Sequence, residues 1–145
     1  MKSLLTVLLL CLTPALPAVA QEWALGGYDA VSYTRVGRPV PGRSDIATMW
    51  KGQKWHFSSE ENRARFEADP RAYAPAFGGL CPVALAEGRR VEGDPTHFVI
   101  IGKRLYLTRS DAAEQSILSA PQRILPAARQ GWLRLKQAPA AVGME

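Results

Sequence analysis

A chain of 145 residues, 47% hydrophobic and 21% charged, has the size and balance of one ordinary folded domain. Its formal charge of +5 comes mostly from arginines scattered along the sequence. That pattern reads as a solvated basic surface rather than a nucleic-acid footprint.

Residues 1–20 carry the features of a cleaved export signal: Lys2, an apolar run over 4–16, and the small-x-small ending Ala18-Val19-Ala20. The run is too short to span a bilayer as a stable helix, and no later segment is apolar enough to anchor the chain. Leu10 stands before Cys11 where a lipidation site needs a small residue, which argues against a lipoprotein. Cleavage would leave Gln21 at the N-terminus, in a periplasmic or secreted protein. Cys81 would then be the sole thiol, so no intramolecular disulfide can form. Such a thiol is buried and inert, a metal ligand, a redox group, or one half of an intermolecular bridge.

Residues 21–41 form a lead-in. Ala30-Val31-Ser32-Tyr33 alternates and predicts a short strand or extended arm. Residues 46–50 and 54–58 predict two strands joined by the three-residue connection Lys51-Gly52-Gln53. Alternation places Trp55 and Phe57 on one face, with His56 half-exposed on the other. Ser58 and Glu61 have the spacing of a capping box for a helix that runs through Phe66 and stops near Asp69-Pro70. Gly78-Gly79 precede Cys81, and Pro82 suits the first turn of a helix, so Cys81 stands at a helix N-terminus. Residues 98–101 and 104–108 predict a second hairpin around Gly102-Lys103, with a type II′ turn. Asp111 can cap a helix through Ser119. Ile124, Leu125, Ala128, Trp132 and Leu135 recur at helical spacing, with Pro126 marking a start or a kink. Residues 138–145 read as a flexible tail. No internal repeat is visible.

Taken together, these elements predict a single small α+β domain with two antiparallel β-hairpins and several short helices. Trp55, Phe57, Phe66, Tyr73, Phe98, Ile100 and Leu105 should share its core.

Several strings occur in an ordered series: Gly26-Gly27-Tyr28-Asp29-Ala30-Val31-Ser32-Tyr33, then Lys54-Trp55-His56-Phe57-Ser58-Ser59-Glu60-Glu61-Asn62, then Phe66-Glu67-Ala68-Asp69-Pro70 and Phe77-Gly78-Gly79-Leu80-Cys81, then Gly93-Asp94-Pro95. The series resembles the secreted bacterial branch of the YHS-domain family, from about Leu25 to Leu107. The resemblance implies a domain over residues 21–137, including a C-terminal helical extension, and a link to heavy-metal handling. Metal-associated members carry cysteines where this chain has Ser32, Ser58 and Asn62. None of those is a soft ligand, so the resemblance supplies no multi-cysteine site. It places the branch's cysteine at Cys81.

Physical chemistry gives the residues their own readings. A thiolate near a helix N-terminus is favoured and binds soft ions. Cys81 is therefore the first candidate metal ligand, with copper as the first ion to consider. His56, His97, Met49 or a second copy of the chain, as a homodimer, would supply the further donor. Each also has a plainer reading. His56 is a strand histidine. His97 begins a strand with no second ligand at metal spacing. Met49, Trp23, Trp50, Trp55 and Trp132 are core residues, and Asp29 is a turn former that bonds nearby amides. No sequence motif of a hydrolase, oxidoreductase or nucleotide binder is present. The expectation is a non-enzymatic exported binding module for a metal ion or small ligand. The alternatives are a thiol-redox protein using Cys81 with a partner thiol, or a structural module in which that cysteine is buried.

Overall fold

The computed structural model describes residues 23–137. The expected export signal at 1–20 and the expected tail at 138–145 lie outside the described residues.

The chain begins with a tight turn, Ala24–Gly27, and a short helix α1, Ser32–Arg35. Strands β1, Arg43–Trp50, and β2, Gln53–Phe57, form an antiparallel hairpin. Helices α2, Glu60–Ala68, and α3, Pro70–Tyr73, follow. A second tight turn, Ala76–Gly79, leads into helix α4, Pro82–Ala86. A second hairpin then forms from β3, Asp94–Ile101, and β4, Arg104–Thr108, before helices α5, Asp111–Ser119, and α6, Pro121–Gln137. The result is the expected α+β domain with two hairpins.

The same sequence of elements occurs twice. Arg43 and Asp94 open the first strands, Gln53 and Arg104 the second, Glu60 and Asp111 the next helices, and Pro70 and Pro121 the helices after those, each pair 51 positions apart. Both hairpins have a register irregularity at the same place, between Arg43 and Ala47 and between Asp94 and Phe98. Ser59 and Ser110 cap α2 and α5 alike, each accepting a backbone N–H three residues on. In the two tight turns, Leu25 and Gly26 match Phe77 and Gly78 in left-handed geometry. The chain is thus an internal duplication, which corrects the expectation of no repeat. The pattern was hidden because turn geometry, caps and alternation are shared while few residue identities are.

Other differences are local. Residues 30–33 turn into α1 rather than a strand, because the Asp29 side chain accepts the Val31 N–H and its carbonyl accepts the Ser32 N–H. Ser59, one residue beyond the expected Ser58, caps α2. Lys51-Gly52 and Gly102-Lys103 are both two-residue loops with positive φ at both positions, the pattern of a type I′ turn. Pro126 lies inside α6, which already begins at Pro121.

The main core holds Trp55, Phe57, Phe66 and Leu105, with Tyr73 and Phe98 packed against it. Ile100 is exposed, because its neighbour Val99 takes the buried position and packs on Ile117 and Ile124. Met49 is likewise exposed rather than core. The two halves are tied by Tyr33, whose hydroxyl donates to the Pro95 carbonyl at 2.8 Å and whose ring meets Phe98 edge-on at 5.0 Å. Burial pushes the Tyr33 phenol well above its ordinary range, with Tyr28, Asp94 and Asp29 adding to the effect, so it remains a donor. Helix α6 packs across α4 at Gly131, where any side chain would overlap the Leu85 carbonyl.

Candidate functional site

The three positions that the resemblance matches to cysteines surround Asp29. This carboxylate is fully buried. Its Oδ1 accepts the Val31 N–H at 2.9 Å. Its Oδ2 accepts the Ser58 N–H at 2.9 Å, the Ser58 hydroxyl at 2.6 Å and the Asn62 amide at 2.7 Å. The Ser32 hydroxyl donates to the Asp29 carbonyl at 2.7 Å and accepts the Val40 N–H at 3.0 Å. The oxygen lone pairs are committed to structural hydrogen bonds, which pin the lead-in to the β2–α2 junction. Asp29 thus bonds nearby amides as its turn reading expects, and the convergence of Ser58 and Asn62 upon it adds a tertiary role.

Cys81 holds the matching place after the second tight turn. It precedes α4 as expected and is fully buried. Its N–H donates to the Val91 carbonyl at 2.9 Å. Ala84 and Ala113 are buried beside it, with Val83 and Val91 closing the cluster. Where the first half places Asn62 against Asp29, the second places Ala113 against Cys81. Helix α4 has only five residues, so the aligned dipoles behind the thiol are few.

His56 is also buried, 2% exposed, rather than half-exposed on an open strand face. The lead-in covers that face: the Trp23 ring lies 4.6 Å from the imidazole, and the Gly42 backbone lies so close that a Cβ there would stand 2.6 Å from the His56 Cβ. Burial, with the Lys54 charge, pulls the imidazole below its ordinary range, so it is neutral at pH 7. Its Nε2 is buried without a hydrogen-bond partner among the described residues.

His97 has the neighbours that its sequence context did not reveal. Its Nδ1 lies 3.2 Å from an Asp111 carboxylate oxygen and 3.3 Å from the Glu114 Oε1. Strand β3 supplies the imidazole and the first turn of α5 supplies both acids. The three potential ligand atoms lie within 4.8 Å of one another. Among the described residues this is the group of three or more donors arranged to hold a metal ion, and it contains neither Cys81 nor His56. The spacing Asp111-x-x-Glu114 at a helix start was the available sequence signal, since positions i and i+3 share a helix face.

A cleft of about 730 Å³ opens where the two halves meet. Trp23, Trp50, Trp55 and Trp132 all line it; Trp55 is core as expected and Trp50 and Trp132 pack against core clusters, whereas Trp23 is exposed. Trp55 is 4% exposed, and its indole N–H donates to the Trp50 carbonyl at 3.1 Å. Trp23 is 53% exposed. Both tight turns reach the cleft through Gly26 and Gly78.

The family model of the YHS domain matches residues 36–77, from the end of the lead-in through the first hairpin, α2 and α3 to the second tight turn. Of the expected metal ligands, His56 and Met49 fall within this match, while Cys81 and His97 fall after it. No curated protein and no solved structure matches the chain. Over residues 36–77, which fold as the first hairpin and the helices that follow it, the chain is similar to the YHS domain.

Proposed function

We propose that the protein is an exported, non-enzymatic binding module that takes a divalent transition-metal ion at His97, Asp111 and Glu114. The carrying observation is the convergence of one imidazole nitrogen and two carboxylate oxygens from separate elements. That donor set suits borderline or harder ions such as zinc, nickel, manganese or copper(II). It does not suit copper(I), which soft thiolates select. Remaining coordination positions are open to water or to a donor from a second copy of the chain. The family's association with metal handling points the same way, and the order of the motifs supports the secreted branch of the family.

Cys81 takes the structural reading in this proposal. Its burial among alanine and valine side chains favours a packing role over ligation or thiol exchange.

Calorimetric titration with zinc and with copper(II) tests the site. His97→Ala and Glu114→Gln should each weaken binding at least tenfold, while Cys81→Ser binds as wild type does. Equal binding by wild type and His97→Ala would overturn the assignment. Loss of binding in Cys81→Ser with retained fold would return the metal to the thiol. Rapid alkylation of Cys81 in the native protein would instead favour the redox reading. Export rests on Lys2, the apolar run and Ala18-Val19-Ala20. N-terminal sequencing of exported protein should begin at Gln21, and recovery of an intact Met1 chain would contradict it.

A further inference from the structure

We propose that the cleft between the two halves is a binding site for a small, flat organic anion, distinct from the metal group and independent of it. Its volume, about 730 Å³, lies in the range of small-molecule sites. Four indoles line it, from four separate segments: the lead-in, β1, β2 and α6. Indole faces favour a flat, polarisable partner, stacked or edge-on.

Charge supplies the second half of the argument. Lys51, Arg71, Arg104 and Lys136 line the cleft against a single acid, Glu92. None of these four cations has a carboxylate partner among the described residues. Instead, the Lys51 ammonium sits 4.7 Å from the centre of the Trp50 ring and the Lys136 ammonium 5.6 Å from that of Trp132. Cation–π contact holds each ammonium at the wall while leaving its charge unneutralised. Arg104 donates to the Arg71 carbonyl, which anchors a guanidinium on the same rim. A ligand with a ring and one carboxylate or sulfonate group would meet both the aromatic wall and the positive rim.

The glycines fit the same use. Gly26 and Gly78 have positive φ and line the cleft without side chains. A Cβ on Gly78 would stand 3.3 Å from the Trp132 ring. The duplication therefore places two bare backbone turns along one cleft that four tryptophans also line.

The test titrates the full chain with 2-naphthoate, with the uncharged 2-naphthalenemethanol and with cyclohexanecarboxylate, following tryptophan fluorescence and heat. Naphthoate should bind saturably and at least tenfold more tightly than either analogue. Lys51→Gln and Lys136→Gln, both at exposed positions, should each weaken naphthoate about fivefold, and Trp132→Leu should abolish the preference for a flat ring. Circular dichroism on each variant separates loss of the site from loss of fold. Equal affinity for the neutral alcohol, or naphthoate binding untouched in the double lysine variant, would overturn the proposal. So would the absence of saturable binding to folded wild-type protein. Zinc or copper titration of the same samples reads the His97 group separately, so failure at one site does not imply failure at the other.

Discussion

Asp29 and Cys81 occupy the same position in the two halves of the chain, each third in its run after the left-handed glycine turn, in Gly27-Tyr28-Asp29 and Gly79-Leu80-Cys81. One is a carboxylate with four hydrogen bonds, and the other a thiol among small apolar side chains. The two sites have diverged in polarity while retaining the backbone around them.

This divergence predicts unequal responses to truncation. Asp29→Ala should cost roughly 3 kcal/mol, because Ser58 and Asn62 lose a charged acceptor in a buried setting. Cys81→Ala should cost only about 1 kcal/mol. Urea unfolding of both variants measures the difference, and equal losses would refute the structural assignment of either residue.

Gly131 reverses the usual helix rule. Within an exposed helix, replacing glycine by alanine gains up to about 1 kcal/mol. Here the new methyl would overlap the Leu85 carbonyl, so Gly131→Ala should lose about 3 kcal/mol as α6 is pushed off α4. A stabilised variant would mean that the two helices pack less closely than described.

Phe57 is fully buried, with its ring 5.1 Å from that of Phe66. Phe57→Ala should cost about 3–5 kcal/mol. A loss below about 1 kcal/mol would place β2 one residue out of register.

His56 sets a pH dependence. Its folded-state pKa lies below the ordinary 6.5, so below that value the unfolded chain binds a proton that the folded one resists. Its contribution is therefore intact above pH 6.5 and is lost progressively as the solution is acidified. The Asp94 carboxyl, held below its ordinary 3.8 by hydrogen bonds from Thr96, titrates in a separate, lower window. Thermal unfolding should show a falling Tm between pH 7 and 5, and His56→Phe should flatten that slope. An unchanged slope in the variant would assign the effect elsewhere.

Both hairpins and the starts of α4 and α5 were legible to within a few residues, because alternation, glycine turns and capping residues are local signals. Phe57, Phe66 and Leu105 were legible as core for the same reason. The burial of His56 was not, because the cover over its strand face comes from Trp23 and Gly42, which alternation within β2 cannot report. The His97 group was missed because β3 and α5 bring together residues fourteen and seventeen positions apart. Ile100 failed as a core residue because both faces of β3 are partly covered and Val99 won the better-enclosed one.

The stretch between α4 and β3 has a consequence for the chain as a physical object. Glu87, Gly88, Arg89 and Arg90 are all exposed, and this stretch, inside the second half, joins parts of the chain that are laced together elsewhere. Tyr33 grips Pro95, Arg104 grips Arg71, and α6 reaches back over α4 at Gly131. Backbone continuity is therefore least needed there: trypsin cutting after Arg89 or Arg90 should give two bands on a denaturing gel from a particle that still elutes as one.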